Sequence, residues 1–103
     1  MTVIVTAIFT PKDGAFDDVV AALSPAIAEV HDEPGCELYA IHEAPNGQIV
    51  MIEKWESAEL LDAHGAGEPV KRLNASLEGL LQGPVEVTRL AQIPAGTAHQ
   101  GTL

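Results

Sequence analysis

Two short stretches are apolar at successive positions: Val3-Ile4-Val5 running on through Ala7-Ile8-Phe9, and Ile49-Val50-Met51-Ile52. Side chains of a strand alternate between faces, so a strand built from either stretch must be covered on both sides. Turn formers bound them. Pro11 and Gly14 end the first, and Pro45-Asn46-Gly47 precedes the second. This predicts strands over 2–10 and 48–56.

Between them the period changes. From Ala15, the residues Phe16, Val19, Val20, Leu23, Ile27 and Val30 recur at three- and four-residue spacing and line one helix face. Asp13, Asp17 and Asp18 suit the positive end of that helix. Pro25 lies inside it, where a proline removes a backbone hydrogen bond and costs about 3 kcal/mol, so a kink or break is expected there. Pro34-Gly35 turns the chain into a second strand, Cys36 to Glu43. Ser57 is placed to cap a short helix through Leu60, Leu61 and His64, stopped by Gly65 and Gly67. Pro69 fits the first turn of a further helix carrying Val70, Leu73, Leu77, Leu80 and Leu81. The alternating Val85-Glu86-Val87-Thr88-Arg89-Leu90 reads as a fourth strand.

The order strand, helix, two strands, helices, strand is the split βαβ, ferredoxin-like form of an α+β fold. The expected domain covers 1–93, followed by a small, polar, mobile tail over 94–103. In such a fold the helices cover one sheet face only, yet strands one and three are apolar on both. A homodimer that packs the two open faces together, a dimeric α+β barrel, is the simplest closed solution.

Fifteen acidic against five basic side chains give a formal charge of −10, which repels nucleic acid and anionic membrane surfaces. The single cysteine, Cys36, excludes an intrachain disulfide and suits a reducing, cytoplasmic compartment. The first residues lack the basic and apolar segments of a signal peptide, and no apolar run is long enough to span a membrane.

Few constellations carry chemistry. His31, His42, His64 and His99 show no metal-ligand spacing. His31-Asp32-Glu33 reads as an exposed helix end. No Gly-x-Ser-x-Gly elbow or phosphate-binding glycine loop is present. What remains is Glu53, Trp55 and Met51, which share a strand face, with His64 one short helix later. If that face looks toward the helices, His64 closes over the indole and leaves a pocket between sheet and helix; the other reading makes Trp55 a core or interface anchor and His64 a helix-end residue.

The run Val50-Met51-Ile52-Glu53-Lys54-Trp55-Glu56-Ser57, followed by Leu60-Leu61-Asp62-Ala63-His64, resembles the central motif of the antibiotic biosynthesis monooxygenase family, especially its quinol monooxygenase branch. Glu33-Pro34-Gly35-Cys36 leading to Tyr39, and the closing strand from Val85 to Pro94, are similar to that branch as well. The resemblance implies a homodimer whose subunits each hold a pocket and use O2 without flavin, haem or metal. It implies oxidation of a quinol or polycyclic phenol, with the substrate as reductant. Such a site needs an aromatic slot, for which Trp55, Tyr39 and Met51 are the candidates, and a proton acceptor. His64 is the first choice of acceptor, with Glu53 or His42 as alternatives, and Asn74 is a possible donor to oxygen. The haem-degrading relatives carry Asn, Trp and His where this chain has Thr6, His64 and Asn74, and the polyketide-tailoring branch has Asn in place of Met51. A non-catalytic dimer that binds small aromatics is the alternative of a different class.

Overall fold

The computed structural model describes all of residues 1–103. Its elements follow the expected order: β1 (Val3–Phe9), α1 (Phe16–His31), β2 (Cys36–Glu43), β3 (Ile49–Trp55), α2 (Ala58–Gly65), α3 (Glu68–Ser76), β4 (Glu86–Leu90) and a single turn, α4 (Ala98–Gly101). The four strands form one antiparallel sheet in the order β2-β3-β1-β4. β3 is thus inserted between β1 and β2, the strands that α1 connects. That is the split βαβ of a ferredoxin-like α+β fold.

The two apolar runs are the two central strands, as their double-sided character requires. On β1, Val5, Ala7 and Phe9 face the helices; on β3, Ile49, Met51, Glu53 and Trp55 do so. Val19, Leu23, Ala26 and Val30 of α1 close over them, joined by Leu61 from α2 and Leu73 from α3. The opposite sheet face carries Ile4, which is buried, and Ile8, Val50, Ile52, Leu38 and Leu90, which are partly or largely exposed. No helix is long and apolar enough to cross a membrane.

Of the kink or break expected at Pro25, the break does not occur, and α1 continues from Phe16 to His31. Pro25 and Ala21, whose carbonyl loses its partner, both lie on the exposed side of the helix, where water can meet that carbonyl. The apolar period after Pro69 continues to Leu81, yet α3 ends at Ser76, because Gly79 adopts φ +80° and turns the chain away. Leu80 to Gln82 then run beside the end of β1, with Lys12 N–H donating to the Leu80 carbonyl and Gln82 N–H to that of Thr10, each at 2.8 Å. In the 94–103 segment, Thr97 caps α4, and Gln92 bonds to Thr2 Oγ1 and to the Leu103 backbone.

Candidate active site

A cavity of about 270 Å3 lies between the sheet and helices α2 and α3. Val5, Ala7 and Phe9 of β1 form its floor with Met51 and Glu53 of β3. Leu61 and His64 close it from α2, Val70, Leu73 and Asn74 from α3, and Val85, Val87 and Arg89 along β4. The walls are mainly apolar, with a few converging polar groups, as small-molecule sites usually are.

Strand register sets the polar end. Tyr39 of β2 pairs with Glu53 of β3, so both project to the helix face, and Trp55 follows Glu53 by two residues onto the same face. Trp55 Nε1 donates to Glu53 Oε1 at 2.9 Å. The indole is fully buried. It stands behind the cavity wall and does not line it, so the expectation that Trp55 forms the slot is replaced by a supporting role.

Ser57 caps α2 as expected, its Oγ accepting from Leu60 N–H at 3.2 Å, and the helix then delivers His64 in its last turn. The imidazole is 7% exposed and lies against Trp55, with ring centroids 4.5 Å apart and planes at 32°. Tyr39 meets the imidazole edge-on, at 5.4 Å and 74°. His64 Nδ1 is 3.1 Å from Glu33 Oε1 and 3.3 Å from Oε2.

The sequence predicts an exposed helix end at His31-Asp32-Glu33. His31 and Asp32 are exposed, but Glu33 turns inward. The turn that follows it is pinned: Gly35 adopts φ +83°, its carbonyl accepts from Glu56 N–H at 2.9 Å, and Leu60 of α2 packs where a side chain would begin. Nothing in the spacing of the chain reveals this approach between residues 31 positions apart.

Charge is arranged unevenly. Burial pushes the Glu53 carboxyl up from its ordinary value, against the opposing pull of the Trp55 hydrogen bond and of His64 and Arg89. Burial likewise pushes the Tyr39 phenol well above its usual range, helped by the nearby Glu53 and Glu33. Tyr39 therefore keeps its hydroxyl proton near neutral pH. That hydroxyl makes no hydrogen bond within the protein and is not sealed from solvent, and Tyr39 is one of the residues that line the cavity. His64 Nε2 likewise has no partner within the protein and is not sealed, and His64 also lines the cavity. Arg89, missed in the sequence, lines the cavity from β4 and binds Asp62 of α2 at 2.7 Å across its outer side. Its place was legible in principle, since strand alternation puts it on one face with Val85 and Val87.

Of the other expected residues, Met51, Tyr39 and Glu53 line the cavity with His64, and Asn74 reaches its rim from α3. His42 does not join them. It projects from the opposite sheet face, exposed, with Nδ1 3.2 Å from the Val50 carbonyl. No group of three or more His, Cys, Asp or Glu side chains is placed to hold a metal ion.

The sequence and fold are similar to those of known proteins. The antibiotic biosynthesis monooxygenase family pattern matches residues 2–76. Rv0793 of Mycobacterium tuberculosis, which bears a provisional monooxygenase name, is 33% identical over 97 residues, spanning 93% of this chain and 96% of its own. Its solved structure superposes with a TM-score of 0.85 at 31% identity, over 94% of this chain and 100% of that one. PA3566 of Pseudomonas aeruginosa superposes at 0.80 with 26% identity, covering 89% and 94% of the two chains. The sequence pattern and the fold agree over most of the length: this chain belongs to the antibiotic biosynthesis monooxygenase family.

Proposed function

We propose that the protein is a cofactor-independent monooxygenase that oxidises a small quinol or phenol with O2. The observation that carries this reading is a mainly apolar cavity lined by an imidazole and a phenol whose rings lie edge to face, 5.4 Å apart. His64 accepts a hydroxyl proton from the bound quinol. The resulting anion gives one electron to O2, and the superoxide and ring radical so formed join at a ring carbon bearing hydrogen. The peroxide takes the proton back from His64, and loss of water leaves a new carbonyl on that carbon. One oxygen atom enters the product and the other leaves as water, so the substrate supplies all the electrons. Tyr39 is the donor to the developing peroxide.

Size narrows the substrate. A cavity of about 150 Å3 accommodates one benzene, so about 270 Å3 suits one or two rings and leaves a four-ring polyketide protruding. The subunit acts as a homodimer through the sheet face turned away from α1 to α3. The free thiol of Cys36 suits a reducing compartment, the cytoplasm.

Oxygen uptake by purified, metal-free protein with a panel of hydroquinones and anthrones tests the reading. Uptake above autoxidation that falls by about 10²-fold or more in His64→Ala supports it. Uptake at background across the panel, with aromatic ligands still binding equally to wild type and His64→Ala, replaces it with a non-catalytic binding module.

A further inference from the structure

We propose that Glu33 is the positioning residue of this site: it holds His64 in the Nδ1–H form and thereby presents Nε2 to the cavity as a proton acceptor. The inference deepens the reading of His64 as the base and rests on it.

An ionised carboxylate can only accept hydrogen bonds, and a neutral imidazole has one nitrogen of each kind. With Nδ1 at 3.1 and 3.3 Å from the two Glu33 oxygens, Nδ1 must carry the hydrogen. Nε2 then holds the free lone pair, and the partner of one ring nitrogen decides the state of the other. An imidazole left to itself prefers the opposite form, with hydrogen on Nε2, which has nothing to accept a proton with on the cavity side.

The surroundings of the ring leave no other residue for this task. Trp55 of β3 and Tyr39 of β2 are packed against it, but the indole has only a donor, committed to Glu53, and the ring's hydrogen bonds go to Glu33 and not to the Tyr39 phenol. Glu53, the other carboxyl close to His64, accepts from Trp55 and lies on the cavity side. Glu33 alone approaches from the loop after α1, with its side chain 20% exposed. The two aromatic neighbours limit ring rotation, so the Glu33 contact selects the form of a ring whose place is already set.

The test is long-range 1H–15N NMR of the full chain, labelled on histidine nitrogen, at a pH where the His64 ring is neutral, with His64→Gln identifying the signals. The wild-type ring is expected to show hydrogen on Nδ1, and Glu33→Ala to move it to Nε2. Glu33→Leu, which fills the same space without an acceptor, is the second variant should the alanine form fail to fold. Where oxygen uptake is measurable, Glu33→Ala should lower kcat about 10–100-fold with KM little changed, and Glu33→Gln, whose amide oxygen can still accept, should restore part of it. Hydrogen on Nε2 in the wild type, or on Nδ1 in both acceptor-free variants, overturns the proposal. The NMR result needs no turnover: the expected shift of the hydrogen without oxygen uptake would retain Glu33 as the positioning residue and reject the oxygenase reading.

Discussion

The Trp55 indole donates its only N–H to Glu53 Oε1 at 2.9 Å, so the one fully buried aromatic residue is tied to the one carboxylate that looks into the cavity from the sheet. Replacing the indole with Phe removes that donor and some volume. The Glu53 oxygen then lacks a partner in a buried setting, which costs about 1–3 kcal/mol, and the space left behind adds to the loss. Urea unfolding of Trp55→Phe should show this decrease. A change under about 0.5 kcal/mol would mean that the hydrogen bond contributes nothing to the fold.

Glu53 also makes stability depend on pH. Its folded-state pKa lies above the unfolded value, because burial outweighs the opposing Trp55, His64 and Arg89 contributions. Stability from this group is therefore full at pH values below the unfolded pKa. It falls as pH rises from there through the folded pKa, by about 1.4 kcal/mol for each pKa unit between the two. Glu53→Gln keeps an acceptor for the indole and has no charge to gain. Its stability relative to wild type should grow across that interval and then level off. Parallel pH curves for the two proteins would contradict the assignment.

Gly35 fixes how Glu33 reaches the helix that carries His64. At φ +83° an alanine pays a left-handed penalty of about 1–2 kcal/mol, and its Cβ would fall 2.5 Å from Leu60 Cδ1. Gly35→Ala should lose at least that much stability and displace α2, with the His64 ring signals shifting along with the melting temperature. If the loss is small and those signals hold still, the turn does not govern the contact.

The fold was legible because the informative pattern was local. Unbroken apolar runs marked the two central strands, and the change of period marked α1. The site was legible in part for the same reason: residues 51, 53 and 55 share a strand face whatever lies across from them. His42 was misplaced although the same rule speaks against it, since it stands three residues from Tyr39 and must project to the other face. Glu33 was not legible at all. Its approach to His64 depends on Gly35 packing under Leu60, a contact between segments that no periodicity relates.

The sheet face turned away from α1 to α3 supplies the next expectation. Ile8 and Val50 are opposite one another in register, with Thr6 and Ile52 beside them, and all four are only partly buried in the single chain. If two such faces pack together, Val50→Glu places a charge without a partner in the contact. Sedimentation should find a dimer for wild type and a monomer for Val50→Glu, with Lys71→Glu on α3 as the control that stays dimeric. A monomeric wild type would reject the homodimer directly.

Ala7 separates a true ligand cavity from a loosely filled core. It sits on β1 between Met51 of β3 and Val87 of β4, nearly buried, and forms part of the cavity floor. Leucine at this position extends into the 270 Å3 that a ligand would occupy. Where the space is free in the unliganded protein, the added carbons gain apolar contact without strain, and stability should stay level or rise. Where it is not, overpacking should cost about 1–3 kcal/mol. Ligand binding reads out the other side of the exchange. An aromatic ligand in this cavity should bind Ala7→Leu at least tenfold more weakly, about 1.4 kcal/mol, measured by calorimetry with the same ligand that supports oxygen uptake. Unchanged affinity together with unchanged stability would place the ligand elsewhere, and the roles assigned to His64 and Tyr39 would go with it.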